Sequence, residues 1–324
     1  MAKDFLLEIG CEEIPARFMS GLCDQLRALF ESELGSFRLS YDQLDIYGSY
    51  RRLVVMVNGL SEIQEETTTV LKGPPTTIAF GQDGELTKAG EGFLKKCGVT
   101  AKEAETQAFD GKDYLACIKT ESAKDTQKIL PELVLSLIKT MNLPIAMTWG
   151  DGEGPFIRPV HWVLCLYGGD VVPLTLFGIE SGHVTYGHRF LSQGESLNGK
   201  SIPIKTLSGY MSVLSKEGSV LVSAVERKKI IQDALAKEKQ TNIDADLLEE
   251  VTYLVEWPVL LQGSFDERFL TIPKAVLIEC MKKHQKYFPI FDHNNKLTNL
   301  FLLVAQKPER LIKGRTVNLK EYMV

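Results

Sequence analysis

The sequence predicts an α+β chain of two domains, each built on a mainly antiparallel sheet flanked by helices. Three observations carry this expectation. Apolar runs of strand length, at 5–10, 53–57 and 160–167, are bounded by turn residues. Between such runs lie stretches with apolar side chains on one helical face, 18–30, 129–141 and 217–239 among them. At 324 residues the chain has room for about two domains with real cores. The expected domains are 1–175, with a helical and loop module near 70–145, and 176–324.

In chain order, Phe5-Leu6-Leu7-Glu8-Ile9-Gly10 reads as an opening strand. Pro15 suits the first turn of a helix, where its missing N–H is not needed. Phe18, Leu22, Leu26, Leu29 and Phe30 then share one face. Arg51 and Arg52 stand at the start of the strand at 53–57, where paired guanidinium groups clamp a phosphate or carboxylate, or form a surface ion pair. Residues 61–69 are polar and acidic, a connection. Lys72-Gly73-Pro74-Pro75 predicts a rigid turn, because each proline fixes its own φ and restrains the residue before it. A short helix after Gly92 closes at Gly98, with Lys95 and Lys96 complementing its carboxyl end. A strand at 114–119 and a helix at 129–141, stopped before Pro144, complete this half.

Residues 147–163 form the centre of the pattern: a glycine- and acid-rich turn passing into a buried strand. Pro159 cannot donate to a ladder and belongs at that strand's first position or on an edge. Arg158 and His161 then stand at the mouth of a sheet, facing a ligand or merely flanking a tight connection. Strand-like runs follow at 171–177 and 184–190; in the second, His188 and Arg189 face opposite sides. A helix at 217–239 and another at 246–256, stopped by Trp257-Pro258, precede a strand from 259. Pro273 opens a further helix, expected to run to Pro289, with Leu277, Cys280, Met281 and His284 on one stripe. Lys282, Lys283 and Lys286 make its other face cationic, and Tyr287 follows. Cations there also complement the helix dipole, so the pattern stands without a ligand too. Asp292-His293-Asn294-Asn295 reads as a turn, and 299–305 as a buried strand.

Net charge is −5, which argues against a nonspecific nucleic-acid coat. The distribution says more: 273–324 hold ten Lys/Arg against four Asp/Glu, a surplus of six that leaves −11 over 1–272. An acidic body with one basic segment suits a localised phosphate-binding surface or a solvated helix. No apolar run approaches the roughly 20 residues that cross a bilayer, and 1–5 pass at once into strand-like sequence without a signal-peptide core. Six scattered cysteines without a CxxC pair suit a reducing, cytoplasmic setting. Gly194-Glu195-Ser196-Leu197-Asn198-Gly199-Lys200-Ser201 satisfies the Walker A string, but Ser201 to Lys205 alternate like a strand and Pro203 interrupts the required helix, so it is rejected as an ATP site. Asp151 and Glu153 read as turn residues, the histidines have no zinc spacing, and there is no nucleophile elbow. The residues therefore favour binding over chemistry.

Across nearly its whole length the chain resembles the β subunit of bacterial heterotetrameric glycyl-tRNA synthetase. The resemblance rests on 5–10 with Glu12-Glu13-Ile14-Pro15, on Arg51-Arg52-Leu53, and on Lys72 to Pro75 with Thr87-Lys88-Ala89. It continues in 147–162, Gly187-His188-Arg189-Phe190, Glu256-Trp257-Pro258-Val259, and Met281 to Pro289. Tyr50 stands where the family commonly has proline, and His161 where arginine is often seen. The resemblance implies a tRNA-binding chain that supports ATP-dependent glycylation of tRNA(Gly) inside an α2β2 assembly. ATP and magnesium would be held by the α subunit, with no cofactor and no catalytic residue in this chain. RNA contacts would come from Arg51, Arg52, Lys72, Arg158, His188, Arg189, Lys282, Lys283, Lys286 and Tyr287. The family's HD-like helical and anticodon-binding domains are not expected here, so the chain looks like an N-terminal part, and 315–324 do not look like the family's continuation. The second domain resembles the editing region of phenylalanyl-tRNA synthetase, which makes an editing hydrolase one rival. A module that docks the α subunit without touching RNA is another.

Overall fold

A computed structural model describes residues 2–81, 84–100, 104–109, 111–194, 196–238 and 243–306. The chain opens with β1 (Ala2–Cys11), α1 (Ala16–Ser36), β2 (Gln43–Ser49) and β3 (Arg52–Ser61). A small module follows, with β4 (Thr67–Pro75), α2 (Thr76–Ala79), α3 (Lys88–Cys97), β5 (Ala104–Phe109) and β6 (Lys112–Glu121). Next come α4 (Thr126–Thr140), the hairpin β7 (Met147–Trp149) and β8 (Glu153–Phe156), then β9 (Val160–Tyr167), β10 (Asp170–Val171), β11 (Thr175–Leu176) and β12 (Ile179–Gly182). The last third holds β13 (Val184–Tyr186), β14 (Ser201–Pro203), α5 (Leu207–Gly218), α6 (Ala224–Lys237), α7 (Ala245–Tyr253), β15 (Val259–Ser264), α8 (Lys274–Glu279), β16 (Phe288–Phe291) and β17 (Leu297–Ala305). The α+β expectation holds.

The main sheet runs β11-β12-β9-β1-β3-β2, with β10 on β9. Its pairings are antiparallel except β12 on β9. β1 has a neighbour on each side and is covered on both faces, which is why it is apolar from Phe5 to Cys11 except at Glu8. Alternation sends Phe5, Leu7 and Ile9 to one face, against Leu22, Leu26 and Phe30 of α1 and Leu130, Leu133 and Leu137 of α4. Leu6 goes to the other face with Val54, Met56, Leu164 and Leu166, under Ile202, Leu207, Tyr210, Leu214, Val220 and Val222. Each such Leu or Phe is worth about 1.5–3 kcal/mol of burial. The sheet does not end at 175, since β12 extends it to 182 and α5 roofs it.

Among the described residues four smaller antiparallel sheets complete the chain: β4-β6-β5 beside α2 and α3, the two-stranded β7-β8 and β13-β14, and β15-β17-β16. The last of these packs Phe288 and Leu302 on α6 and α7, and buries Phe301 and Leu297 with Phe265, Leu277 and Met281 on its other side.

Several expected elements end early, for local reasons. The helix expected at 217–239 is two helices. Ser219 takes a left-handed φ of 52°, Val220 to Val222 run through the core, and Ser223 restarts the chain by capping Glu226 N–H. The strand expected at 184–190 stops at Tyr186, where Gly187 packs against Ser192 and Gly218. The helix from Pro273 continues past Glu279 only as a π-type turn over Cys280–His284. Lys286 then adopts φ 58°, and Pro289 pairs with Phe301 in β16 instead of ending a helix. Lys72 to Pro75 finish β4 rather than forming a turn. Residues 147–163 fold as expected, a hairpin and then a strand starting just after Pro159. In the Walker-like string, Ser201 begins a strand and the next helix starts at Leu207, while Glu195 lies outside the described residues. So do 307–324, including the atypical 315–324.

Candidate nucleic-acid interface

On the α5 side of the main sheet, alternation places Glu8, Gly10, Arg52 and Trp162 on one face. Gly10 lies opposite both Arg52 and Trp162 in the register. A side chain at Gly10 would overlap the Trp162 ring, so the glycine is what lets the indole lie across the sheet. Trp162 Nε1 thereby donates to Glu8 Oε1 at 2.9 Å. Glu8 also accepts from Arg52 Nη1 (2.8 Å), Thr185 Oγ1 (2.8 Å) and Tyr210 Oη (2.9 Å). Glu256 Oε1 takes Arg52 Nε and Ser49 Oγ, both at 2.6 Å. Arg52 is thus held between two carboxylates, and all three groups are wholly buried. Burial alone would raise the Glu256 pKa. The adjoining Arg52 charge and the Arg52 and Ser49 hydrogen bonds outweigh it and hold the acid at about 2.

A second buried guanidinium closes the cluster. Arg227 donates to the carbonyls of Leu221 (2.6 Å), Val222 (2.8 Å), Thr252 (3.0 Å) and Gly48 (2.8 Å), so α6, the end of α7 and β2 meet on one side chain. Burial lowers its pKa to about 10, which leaves it charged at neutral pH.

Toward solvent the pattern loosens. Arg51 is buried; among the described residues its side chain hydrogen-bonds to Asn198, through its carbonyl (3.2 Å) and Oδ1 (2.9 Å), and lies 5.4 Å from the centre of the Trp162 ring. Glu12 Oε1 receives Arg189 Nη2 at 2.7 Å and His161 Nε2 at 2.9 Å. Arg158 donates to the carbonyls of Glu13 (3.0 Å) and Ile157 (3.1 Å). His188 is enclosed. Its Nδ1 accepts from the amides of Phe190 and Leu191, which fixes Nε2 as the donor to Gln306 Oε1 at 2.8 Å, and burial lowers its pKa. The ring is a neutral bracket for the 188–191 loop.

The chain matches the family described as glycyl-tRNA synthetase beta subunit over residues 5–317. It belongs to that family. The glycine–tRNA ligase beta subunit of Moorella thermoacetica is 39% identical over 309 residues, covering 94% of this chain and 44% of the relative. That of Natranaerobius thermophilus is 37% identical over 311 residues, with 94% and 44% covered. The Syntrophus aciditrophicus subunit is 37% identical over 323 residues, with 97% and 46% covered. The chain spans less than half the length of these curated relatives.

Within this beta-subunit chain the structure brings Arg51, Arg52, Arg158, His188 and Arg189 to one end of the main sheet. The other expected contacts lie elsewhere. Lys72, on β4, sits 3.9 Å from the centre of the Tyr114 ring and 5.0 Å from that of Phe109. Lys282 pairs with Asp244 (2.8 Å), Lys286 with Glu250 (2.7 Å), and Lys283 with Glu279. Tyr287 stacks on Phe301 with ring centres 4.4 Å apart. Glu8, Glu12, Tyr210, Arg227 and Glu256 were not expected to have site roles. Glu8 carries a visible signal, a carboxylate inside an apolar strand. Arg227 carries another, since it shares a helical stripe with Ile231 and Leu235. Among the described residues, no group of three or more His, Cys, Asp or Glu is placed to hold a metal, and no helix is long and apolar enough to cross a membrane.

Proposed function

We propose that this chain is the RNA-holding part of a glycine–tRNA ligase beta subunit. It positions tRNA(Gly) for a separate alpha subunit that binds ATP and magnesium and joins glycine to the tRNA, within a cytoplasmic α2β2 assembly. Family membership supports the ligase reading. The observation that carries the RNA reading is the guanidinium-rich end of the main sheet, where Glu12 Oε1 bridges Arg189 and His161, Arg158 donates to the carbonyl of the adjoining Glu13, and Arg51 follows Tyr50 at the start of β3. Phosphate contacts fix the register of RNA on a protein, and arginine supplies them bidentately.

The intramolecular ion pairs sort the remaining candidates. Lys282, Lys286 and Arg189 and their carboxylates are between about a fifth and a third exposed. Pairs of that kind are worth about 0–1 kcal/mol, so a phosphate can replace the carboxylate at small cost. Lys283, Lys72 and Arg158 join them, with Tyr287 beside Lys286. Arg52 differs, because separating it from Glu8 and Glu256 would strand buried charges.

The test is glycylation of tRNA(Gly) by the alpha subunit alone, by this chain alone, and by both, with direct binding of tRNA to this chain. Binding by this chain, with charging only where alpha is present, is the expected result. Glycyl-adenylate formed by this chain in isolation would overturn the division of labour.

A further inference from the structure

The basic turn that follows α8 borders a recess at one edge of the β15-β17-β16 sheet, where, among the described residues, β16 pairs with β17 on one side alone. The recess holds about 220 Å³. Leu235 of α6 and Phe288 of β16, both buried, form its floor. The half-buried Ile278 of α8 and Phe291 of β16 form its walls, and Lys274 lies over the Phe291 ring, 4.9 Å from its centre. Two polar side chains complete it: Asp244, which caps α7, and Lys282 from the π-type turn. Sites for drug-sized ligands run to roughly 300–1,000 Å³, so this recess admits one flat ring system and little more.

Lys282 Nζ donates to Asp244 Oδ2 at 2.8 Å, and Asp244 Oδ1 accepts from the Leu247 amide at 3.0 Å. That amide and the lysine hold the Asp244 pKa below its ordinary value, so the group is a carboxylate at neutral pH. A carboxylate accepts about four hydrogen bonds and an ammonium donates three. Both groups therefore keep capacity after pairing with each other, and with side chains 31% and 32% exposed they are open to a ligand. The backbone beneath Lys282 is also irregular. Gln285 N–H reaches back five residues to the Cys280 carbonyl at 3.3 Å, a π-type closure of the kind that recurs at functional sites. An acceptor and a donor side by side, above apolar walls, complement the edge and faces of a nucleobase.

We propose that this recess receives one unstacked guanine base of an RNA strand, its rings against the apolar walls and its edge against Asp244 and Lys282. Guanine is the base that sets two N–H donors beside a carbonyl on one edge. The donors suit the carboxylate, and the carbonyl suits the ammonium. Adenine, cytosine and uracil each offer a single donor there. Single-stranded RNA is read in this way, by hydrogen bonds to the edge of an extruded base and by packing on its faces. The Lys282–Asp244 pair stays intact on binding, so no charge is stranded. The assignment rests on the RNA reading above and deepens it: the basic segment reads a base as well as phosphates, with Lys283 and Lys286 left for the phosphates.

Binding to the whole chain is measured at one salt concentration for a short oligouridylate, the same strand with one guanosine, the same with inosine in its place, and free guanosine monophosphate. The guanosine strand should bind roughly 5- to 150-fold tighter than the oligouridylate. Inosine lacks the amino donor and should fall between them. Asp244→Asn keeps a good helix cap but loses the charge and one acceptor oxygen, so it should abolish the preference while the oligouridylate binds as before. Ile278→Phe fills the recess without touching a charge and should do the same. Lys282→Met should weaken the guanosine strand more than the plain one. Melting temperatures near that of the unaltered protein show that each variant is folded. A guanosine preference that survives both Asp244→Asn and Ile278→Phe would overturn the site. Equal affinity of the unaltered protein for all three strands, with tRNA(Gly) still bound, would remove the guanine pocket and leave the RNA-holding role standing. Guanosine monophosphate bound as tightly as the guanosine strand would overturn RNA as the source of the base.

Discussion

Replacing Glu256 with glutamine separates charge from packing in the buried cluster, because glutamine nearly reproduces the protonated acid. Glu256 is wholly buried and its pKa is about 2, against an ordinary 4.5. A displacement of that size corresponds to about 3 kcal/mol of stability at neutral pH. The sign follows from linkage. The folded pKa is depressed, so the contribution is complete above the unfolded value of about 4.5 and is lost as pH falls through about 2. By about pH 3 more than half should be gone. Glu256→Gln should therefore cost about 3 kcal/mol near pH 7, roughly 5 °C in melting temperature for a chain of this size. At about pH 3 the deficit should shrink to about 1 kcal/mol. Denaturant titrations of both proteins at the two pH values read this directly. His188 lies close enough to Glu256 for the two charges to couple, so its titration is part of the same difference. A deficit equal at both pH values would refute the reasoning, since it would mean that shape and not the Arg52 charge holds Glu256 in place.

The other predictions test neighbouring parts of the same argument. Gly10→Ala drives a methyl group into the Trp162 ring and should cost about 1–3 kcal/mol, with a changed near-ultraviolet tryptophan signal. Arg227→Met leaves four carbonyls without a donor and should destabilise by about 3 kcal/mol or more, with faster amide exchange around 221–227 and at the end of α7. Lys282→Ala with Lys286→Ala should change stability by no more than about 1 kcal/mol per pair. The same double change should weaken tRNA binding and reduce its log–log salt slope by about 0.7–0.9 for each phosphate contact removed, and an unchanged slope would exclude that segment from the RNA footprint.

The main sheet was legible because its signals are local. The apolar run of β1 and a one-faced stripe in α1 are written within a few residues of where they act. The failures share a cause. Val220 to Val222 look helical by composition and become an extended core segment, because the sheet face above Leu164 and Leu166 needs covering and Ser223 offers a fresh helix start. Pro289 looks like a helix stop and serves as a strand residue, because β17 lies beside it. The cationic candidates were readable as residue types, but not by environment. Arg51 and Arg52 are neighbours in sequence, yet one is clamped by carboxylates more than 40 and 200 positions away, and the other is not. No spacing rule encodes that distinction. What was readable, and passed over, is that a lone Glu8 in an apolar strand and a lone Arg227 on an apolar stripe require partners.

Such a cluster is a poor source of net stability. Desolvating Arg52, Glu8 and Glu256 costs nearly as much as their attraction returns, and well-packed apolar side chains would often do as well. Its effect lies in what it forbids. Glu256 follows α7 and leads into β15, while Glu8 and Arg52 belong to the centre of the main sheet. Any shift of the β15-β17-β16 sheet against the main one would bare a buried charge at a cost of several kcal/mol, so the two parts have one low-energy register. That rigidity fixes Arg51 as well, because the backbone that points Arg52 inward holds its neighbour toward Asn198 and the open end. On the RNA reading proposed above, a cation held still before a phosphate arrives would lose little freedom on binding, and that separates Arg51 from the longer, partly exposed lysines 282 and 286.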